Sequence, residues 1–219
     1  MRICILGRNM KQDPYKKIAG YYDRAVEPFI RSLRRYGMKV ASGEAGMRVL
    51  EVGCGTGTNL EMYQRRGCEI YGIDLSPTMI ETARAKLGND ANLVLGDASD
   101  MPFDDDFFDL AIAMLTLHEM SSGMRDPVLR EMKRVIKKNG RVLLIDYHPG
   151  PLGFPVGWIN RLVIWFFEIA AGWDHFKNFR NFIAAKGLPV LIAASGLEVK
   201  KKKILGGGNL AVILAGKTS

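Results

Sequence analysis

The sequence predicts an α/β fold: seven strands in a mostly parallel sheet, helices on both faces, and an antiparallel hairpin at the carboxyl end. Three observations predict it. Short apolar runs alternate with helix-length segments over residues 48–146, the order of a parallel sheet joined by crossover helices. The first strand breaks into three glycines at alternate positions, Gly53, Gly55 and Gly57, and the chain restarts as a helix. The last two strands, over 197–204 and 209–215, are joined by Gly206-Gly-Gly208, a hairpin connection.

The elements follow in order. Residues 13–36 read as a helix that Pro28 interrupts. A strand at 48–52, a helix at 57–66 and a strand at 69–73 come next. Ser76 is the natural N-cap of a helix from Pro77 to Leu87, with proline at the first helical position. Strands at 92–95 and 109–114 precede a helix from Pro127 to Lys138, which Asn139-Gly140 stops, and a strand at 141–146. Residues 149–190 break the rhythm with a proline-rich turn, an apolar helix over Val156–Ala171 and a phenylalanine-studded stretch over Asp174–Lys186. The expectation is a single domain over 1–219, with 151–190 inserted as a helical lid or acceptor region.

Composition narrows the function classes. At 47% hydrophobic and 25% charged residues, the chain is an ordinary globular one with material for a sizeable core. Cys4, Cys54 and Cys68 lack paired spacing, so neither a disulfide framework nor a zinc site is expected, and no metal is assigned. The opening Met1–Gly7 is too short for the apolar core of a signal peptide. The expected location is cytoplasmic, with contact to the inner face of a membrane left open. The net charge of +8 is spread along the chain. Its densest run, Lys200-Lys-Lys-Lys203, sits in a predicted strand, where edge lysines discourage aggregation.

Glu51, immediately before the glycines, selects among ligands. Strand, tight turn and helix N-terminus let backbone amides meet a nucleotide-like ligand with no side chain in the way. A dinucleotide site asks for G-x-G-x-x-G, but here the third glycine comes one residue early and Thr58 stands where glycine is wanted. A carboxylate at this place repels a pyrophosphate and attracts an ammonium.

The segment Glu51-Val-Gly-Cys-Gly-Thr-Gly57 resembles the first motif of the class I S-adenosylmethionine-dependent methyltransferases, which have a Rossmann-like sheet. Three further blocks fall at matching places: Tyr71-Gly-Ile-Asp74, Leu95-Gly-Asp-Ala98, and Asp109–Met114 followed by Leu115-Thr-Leu-His118. The resemblance covers residues 15–146 and implies S-adenosylmethionine as cofactor. It implies that Glu51 faces the ammonium, directly or through water, while Gly53, Cys54 and Gly55 admit the methionine portion to the backbone. The Thr56 hydroxyl suits the loop or the ligand, and Gly57 completes the motif. Asp74 would accept from both ribose hydroxyls, Asp97 from the adenine amine, and the Ala98 amide would donate to a ring nitrogen. Leu75, Met79 and Met114 would line the pocket, and Tyr22 would close over it. Plainer alternatives stand beside these roles: Glu51 or Asp74 as helix caps, and the methionines as core.

For the acceptor, the same resemblance sets some classes aside. The place after the fourth strand reads Met114-Leu-Thr-Leu-His118, without the Pro-Pro pair of enzymes that methylate base amines. No cysteine follows a proline, as carbon-5 cytosine chemistry requires, and no paired-glutamate loop marks arginine methylation. Nucleic acid is therefore not the expected partner, and a small or lipid-like acceptor is. Tyr15–Asp23 is similar to the entrance helix of the menaquinone and ubiquinone biosynthesis methyltransferases, and Asp100-Met-Pro-Phe-Asp104 to their loop after the third strand. Met114 departs from those enzymes, and phospholipid-amine methyltransferases are also similar.

The apolar helix carries Trp158, Leu162 and Phe166, with Arg161 and Glu168 seven apart on one face, and is too short for a membrane span. It is either a lid helix packed on the sheet or an aromatic face that lines an acceptor pocket or touches a bilayer. His118 is the candidate catalytic base, with a loop hydrogen bond as its alternative; His148, with Asp146 and Tyr147, is a second candidate that suits a hinge or loop role better, and His175 suits capping or packing. Two other functions stay open on sequence: an NAD-linked oxidoreductase and a non-catalytic cofactor-binding protein. The sequence carries no signal for oligomeric state.

Overall fold

The computed structural model describes Asp13 and residues 19–218. Seven strands form one sheet in the order β3-β2-β1-β4-β5-β7-β6. They are β1 Arg48–Val52, β2 Glu69–Asp74, β3 Asn92–Leu95, β4 Phe108–Met114, β5 Ile136–Tyr147, β6 Leu197–Leu205 and β7 Leu210–Lys217. The helices are α1 Ala19–Val40, α2 Thr58–Gln64, α3 Pro77–Leu87, α4 Ser122–Val135, α5 Val156–Ala170, α6 Trp173–Ala184 and α7 Gly187–Ala194. The first five strands pair in parallel, and β7 lies antiparallel between β5 and β6. The predicted sheet and its closing hairpin are what the structure has.

The period-2 alternation of the strands divides the core in two. Leu50, Ala111, Ala113, Val142, Leu144 and Ile213 face α4 and α7, packing on Val128, Leu129, Met132 and Leu188. Val49, Leu110, Ile112, Leu143, Ile145 and Val212 face the other way, onto Leu33 of α1, Leu60 and Tyr63 of α2, and Ile80 and Ala83 of α3. The chain thus winds outward from β1 to β3 with helices on one face, then returns to β4 and continues with α4 on the other. Between β1 and β4 the winding reverses, and a crevice opens there beyond the strand ends.

Several expectations need correction. Pro28 does not interrupt α1, which runs through it to Val40. α4 begins at Ser122, so Pro127 lies inside it rather than at its start. The helix loses only the bond that a Pro127 N–H would have made to the Gly123 carbonyl. Asn139-Gly140 is not a helix stop: α4 ends at Val135, and the dipeptide sits in an irregularity of β5, where Phe108 pairs with Ile136 and Leu110 already with Arg141. A Cβ on Gly140 would stand 2.8 Å from the Lys137 nitrogen, so the bulge folds back tightly on itself. Finally, α5 is not a buried lid. Only Gly157 and Glu168 are buried along it, while Leu162 is 67% and Phe166 69% exposed. At the far end, β6 is an edge strand and Lys200–Lys203 are all exposed, as edge lysines should be.

Candidate active site

A cavity of about 470 Å³ opens at the carboxyl ends of β1, β2 and β4. Its floor is the turn after β1. Gly53 has φ +65°, and a Cβ there would stand 2.4 Å from Thr116 Cγ2, so only glycine lets the two loops touch. Gly55 differs: its φ is +51°, yet an added Cβ would meet nothing within 4 Å, because that side faces the cavity. The third glycine of the motif, Gly57, is absent from the cavity wall; it admits Leu87 of α3, whose Cδ1 would lie 2.7 Å from a Cβ.

Of the other residues singled out by sequence, Glu51, Cys54, Thr56, Asp74, Leu75, Met79, Asp97, Ala98 and Met114 all line the cavity. Tyr22 lies on α1, but its side chain falls outside those described, as do residues 15–18 of the entrance segment. The Cys54 thiol is buried beside Gly72, so Cys54 offers its backbone. Thr56 Oγ1 donates to Asp23 Oδ1 at 2.6 Å and ties the loop to α1. Asp23 in turn pairs with Lys86 of α3.

Glu51 is the most telling group. It is 3% exposed, and Oε1 accepts from Asn59 Nδ2 at 2.9 Å, while Oε2 is buried with no hydrogen-bond partner. Burial pushes its carboxyl up to about 7, against the pull of the Arg34 cation and of Asn59. A carboxylate held this way, with one oxygen unsatisfied in a cavity, is built for a cation that arrives with the ligand.

Asp74 is already partly engaged. Oδ2 accepts from the Gly55 N–H at 2.8 Å and Oδ1 from the Ser76 N–H at 2.9 Å. Each oxygen keeps a further lone pair, so a diol can still be accepted in addition to the amides. Burial raises the Asp74 carboxyl, and the two amides pull it back. Asp97, which lines the cavity, accepts from the Ser99 N–H on Oδ1 at 2.8 Å.

The far wall comes from the loop after β4. Leu115 takes φ +52°, uncommon for a branched side chain, and its N–H donates to the Ile145 carbonyl at 2.7 Å. Asp146, fully buried at the end of β5, accepts the amides of Leu117 and His118 at 2.9 and 3.2 Å on Oδ2. Its Oδ1 lies 2.8 Å from His118 Nδ1. His118 itself is buried behind the wall rather than on it, and Nε2 faces Glu168 Oε1 at 3.5 Å. Glu119, which the sequence reading passed over, is the ionisable residue that this loop presents to the cavity, and its Oε1 meets His175 Nε2 at 3.1 Å. Arg34 of α1 was missed as well, since a cation inside a helix of mixed charge gives no signal in sequence.

Comparison with known proteins agrees with this geometry. A family model described as a methyltransferase domain matches residues 50–144. The phosphatidylethanolamine N-methyltransferase of Cereibacter sphaeroides is 32% identical over 73% of this chain and 77% of its own length. The ubiquinone/menaquinone biosynthesis C-methyltransferase of Idiomarina loihiensis is 31% identical over 64% of the chain, which spans only 60% of that relative. Among solved structures, a Haloferax volcanii methyltransferase in complex with the Trm112 activator superposes with a TM-score of 0.68, covering 95% of this chain and all of that one at 18% identity, which speaks for the fold alone.

Proposed function

Because this chain belongs to the class I S-adenosylmethionine-dependent methyltransferases, we propose that it methylates a lipid-like acceptor taken from a membrane surface. The family membership displaces the oxidoreductase and non-catalytic alternatives. S-adenosylmethionine is the cofactor, and the residues present fit it: the unsatisfied Glu51 Oε2 suits the ammonium, and the open side of Gly55 gives the amino-acid portion room. In this reading Asp74 receives the ribose hydroxyls, Asp97 and the Ala98 amide receive the adenine, and Leu75, Met79 and Met114 supply the apolar walls.

When bound, the cofactor supplies an electrophilic methyl group for in-line displacement. What the protein adds is alignment and exclusion of water. Thr116 and Gly53 lock the β1 and β4 loops together, and Asp146 pins the β4 loop through two amides. For an acceptor that must lose a proton, Glu119 is our candidate to take it. His118, with a carboxylate at each ring nitrogen, positions the wall from behind.

One observation carries the acceptor class. Trp158, Leu162 and Phe166 of α5, with Phe154 before it and Trp173 after it, stand out into solvent, between 58% and 87% exposed. No helix among the described residues is long and apolar enough to cross a membrane, so this face suits the interface of a bilayer. The net charge of +8 favours an anionic surface. The two named relatives act on a phospholipid amine and in quinone biosynthesis, both chemistries of apolar-tailed molecules. Vesicles containing anionic phospholipid should float the protein, and the double change Leu162→Glu, Phe166→Glu should weaken that association about tenfold or more with S-adenosylhomocysteine affinity unchanged. Radiolabelled methyl transfer to phospholipid amines and reduced quinones then identifies the acceptor. Failure to bind vesicles, together with no transfer to either class, would overturn the proposal.

A further inference from the structure

We propose that His118, Glu168 and His175 form a binding site for one divalent transition-metal ion, with zinc the best match, that clamps α5 and α6 onto the end of the sheet. The three side chains come from the β4 loop, α5 and α6, and their donor atoms lie within 4.8 Å of one another. Glu168 sits between the imidazoles: Oε1 is 3.5 Å from His118 Nε2, and Oε2 is 2.9 Å from His175 Nδ1. The opposite nitrogen of each ring faces another carboxylate, His118 Nδ1 to Asp146 at 2.8 Å and His175 Nε2 to Glu119 at 3.1 Å. Tyr147 completes the surroundings by donating its hydroxyl to Glu168 Oε1 at 2.8 Å.

That is the pattern of a metal-ligating histidine, in which an outer carboxylate takes the distal N–H and turns the other nitrogen's lone pair inward. In that tautomer both histidines turn their inward nitrogen toward one carboxylate, Glu168. Lone pairs and carboxylate repel unless something positive lies between them. Two protons or one divalent ion would balance the charge equally well, and metal analysis separates the two. The 3.5 Å His118–Glu168 separation is poor for an N–H···O bond and close to the roughly 3.4 Å between ligands that share a tetrahedral ion about 2.1 Å away, while the 2.9 Å His175–Glu168 contact would have to open by about half an ångström to admit the ion. Two imidazoles and one carboxylate suit zinc among the common ions. Counting cysteines in the sequence, which led to no metal being expected, cannot register this donor set.

A clamp here would add to the bonds that hold α5, where Arg161 donates to Asn209 Oδ1 at 2.6 Å and to the His148 carbonyl at 2.7 Å. The two buried residues of α5 are Gly157 near one end and Glu168 near the other, and the apolar face between them contributes little to the core. A metal at Glu168 would fix the second end.

The test is metal analysis of full-length protein purified without chelator, followed by titration of chelator-stripped protein with cobalt(II) and zinc(II). The expected result is close to one zinc per chain, visible ligand-field absorption of four-coordinate cobalt, and a melting temperature that rises with added zinc. His175→Ala and Glu168→Gln should each lower metal content about tenfold or more, while His148→Ala, a buried histidine outside the cluster, should not. If a variant fails to fold, the wild-type titration alone decides. Folded wild-type protein that takes up neither ion at about ten equivalents, with melting unaffected by zinc or chelator, would show that protons hold the cluster together and would overturn the proposal.

Discussion

Replacing Glu51 with glutamine should weaken S-adenosylhomocysteine binding about 100-fold while making the ligand-free protein more stable above neutral pH. Both effects have one cause. The carboxylate is buried with Oε2 unpartnered, so its charge is only partly offset, by Arg34 and Asn59, until a ligand ammonium arrives. Glutamine keeps the shape and can still accept from Asn59, but it cannot form the charge-assisted contact. The pH dependence has a definite sign. The folded-state value of about 7 lies above the ordinary 4.5, so the contribution of this group to stability is fully present below 4.5 and is lost as pH rises through 7. Its size is about 3 kcal/mol. Melting curves between pH 5 and 8.5 should therefore decline for the wild type across this window more steeply than for Glu51→Gln. Calorimetry should show wild-type affinity falling below pH 7, where Glu51 must first give up a proton. Equal affinities for the two proteins at pH 8 would refute the role of Glu51.

Arg125→Ala should cost about 3–5 kcal/mol of stability, the largest loss expected from a single side chain outside the cavity. The residue is 2% exposed on α4. Its guanidinium donates to the carbonyls of Leu117 at 3.1 Å, Met120 at 2.9 Å and Asn178 at 2.9 Å, and to Asn181 Oδ1 at 3.0 Å. It also lies over the Phe182 ring at 5.0 Å. Truncation leaves several buried acceptors unpaired at once, which is why the cost exceeds that of one hydrogen bond. Arg125→Lys should rescue little, because a point donor cannot span the fork. Chemical denaturation measures the effect, with Arg130→Ala on the exposed side of the same helix as a control expected within about 0.5 kcal/mol. A loss for Arg125→Ala no larger than that of the control would refute the weight given to these hydrogen bonds.

These two residues also mark what could be read from sequence. Glu51 was legible because its environment is local: a strand, three glycines and a helix start fix the backbone over a few residues, and the carboxylate can only lie at the tip. Ser76 and Pro77 are legible for the same reason, since the N-cap and the first helical position are adjacent in the chain; Ser76 Oγ accepts from the Met79 N–H at 3.1 Å. Arg125 was not legible, because its partners lie on the β4 loop and on α6 and are brought together only by the fold. The His118, Glu168 and His175 cluster is hidden for the same reason. α7 was missed because the residue before it, Lys186, is left-handed and offers no side-chain cap to announce the helix. The exposure of α5 was misjudged because apolar residues all around a helix ordinarily signal burial, and sequence does not say whether the burying medium is protein or lipid.

The exposed lysine run along the β6 edge should oppose edge-to-edge pairing between copies of this chain at high concentration. Joining two such edges in register would bring two rows of ammonium groups within one strand spacing, about 4.8 Å. At low ionic strength the repulsion keeps the sheet from growing outward, so self-association through this border is suppressed. Concentrated salt removes the barrier, since screening then acts over about 3 Å. Storage buffer thus becomes a variable that acts on this margin of the molecule.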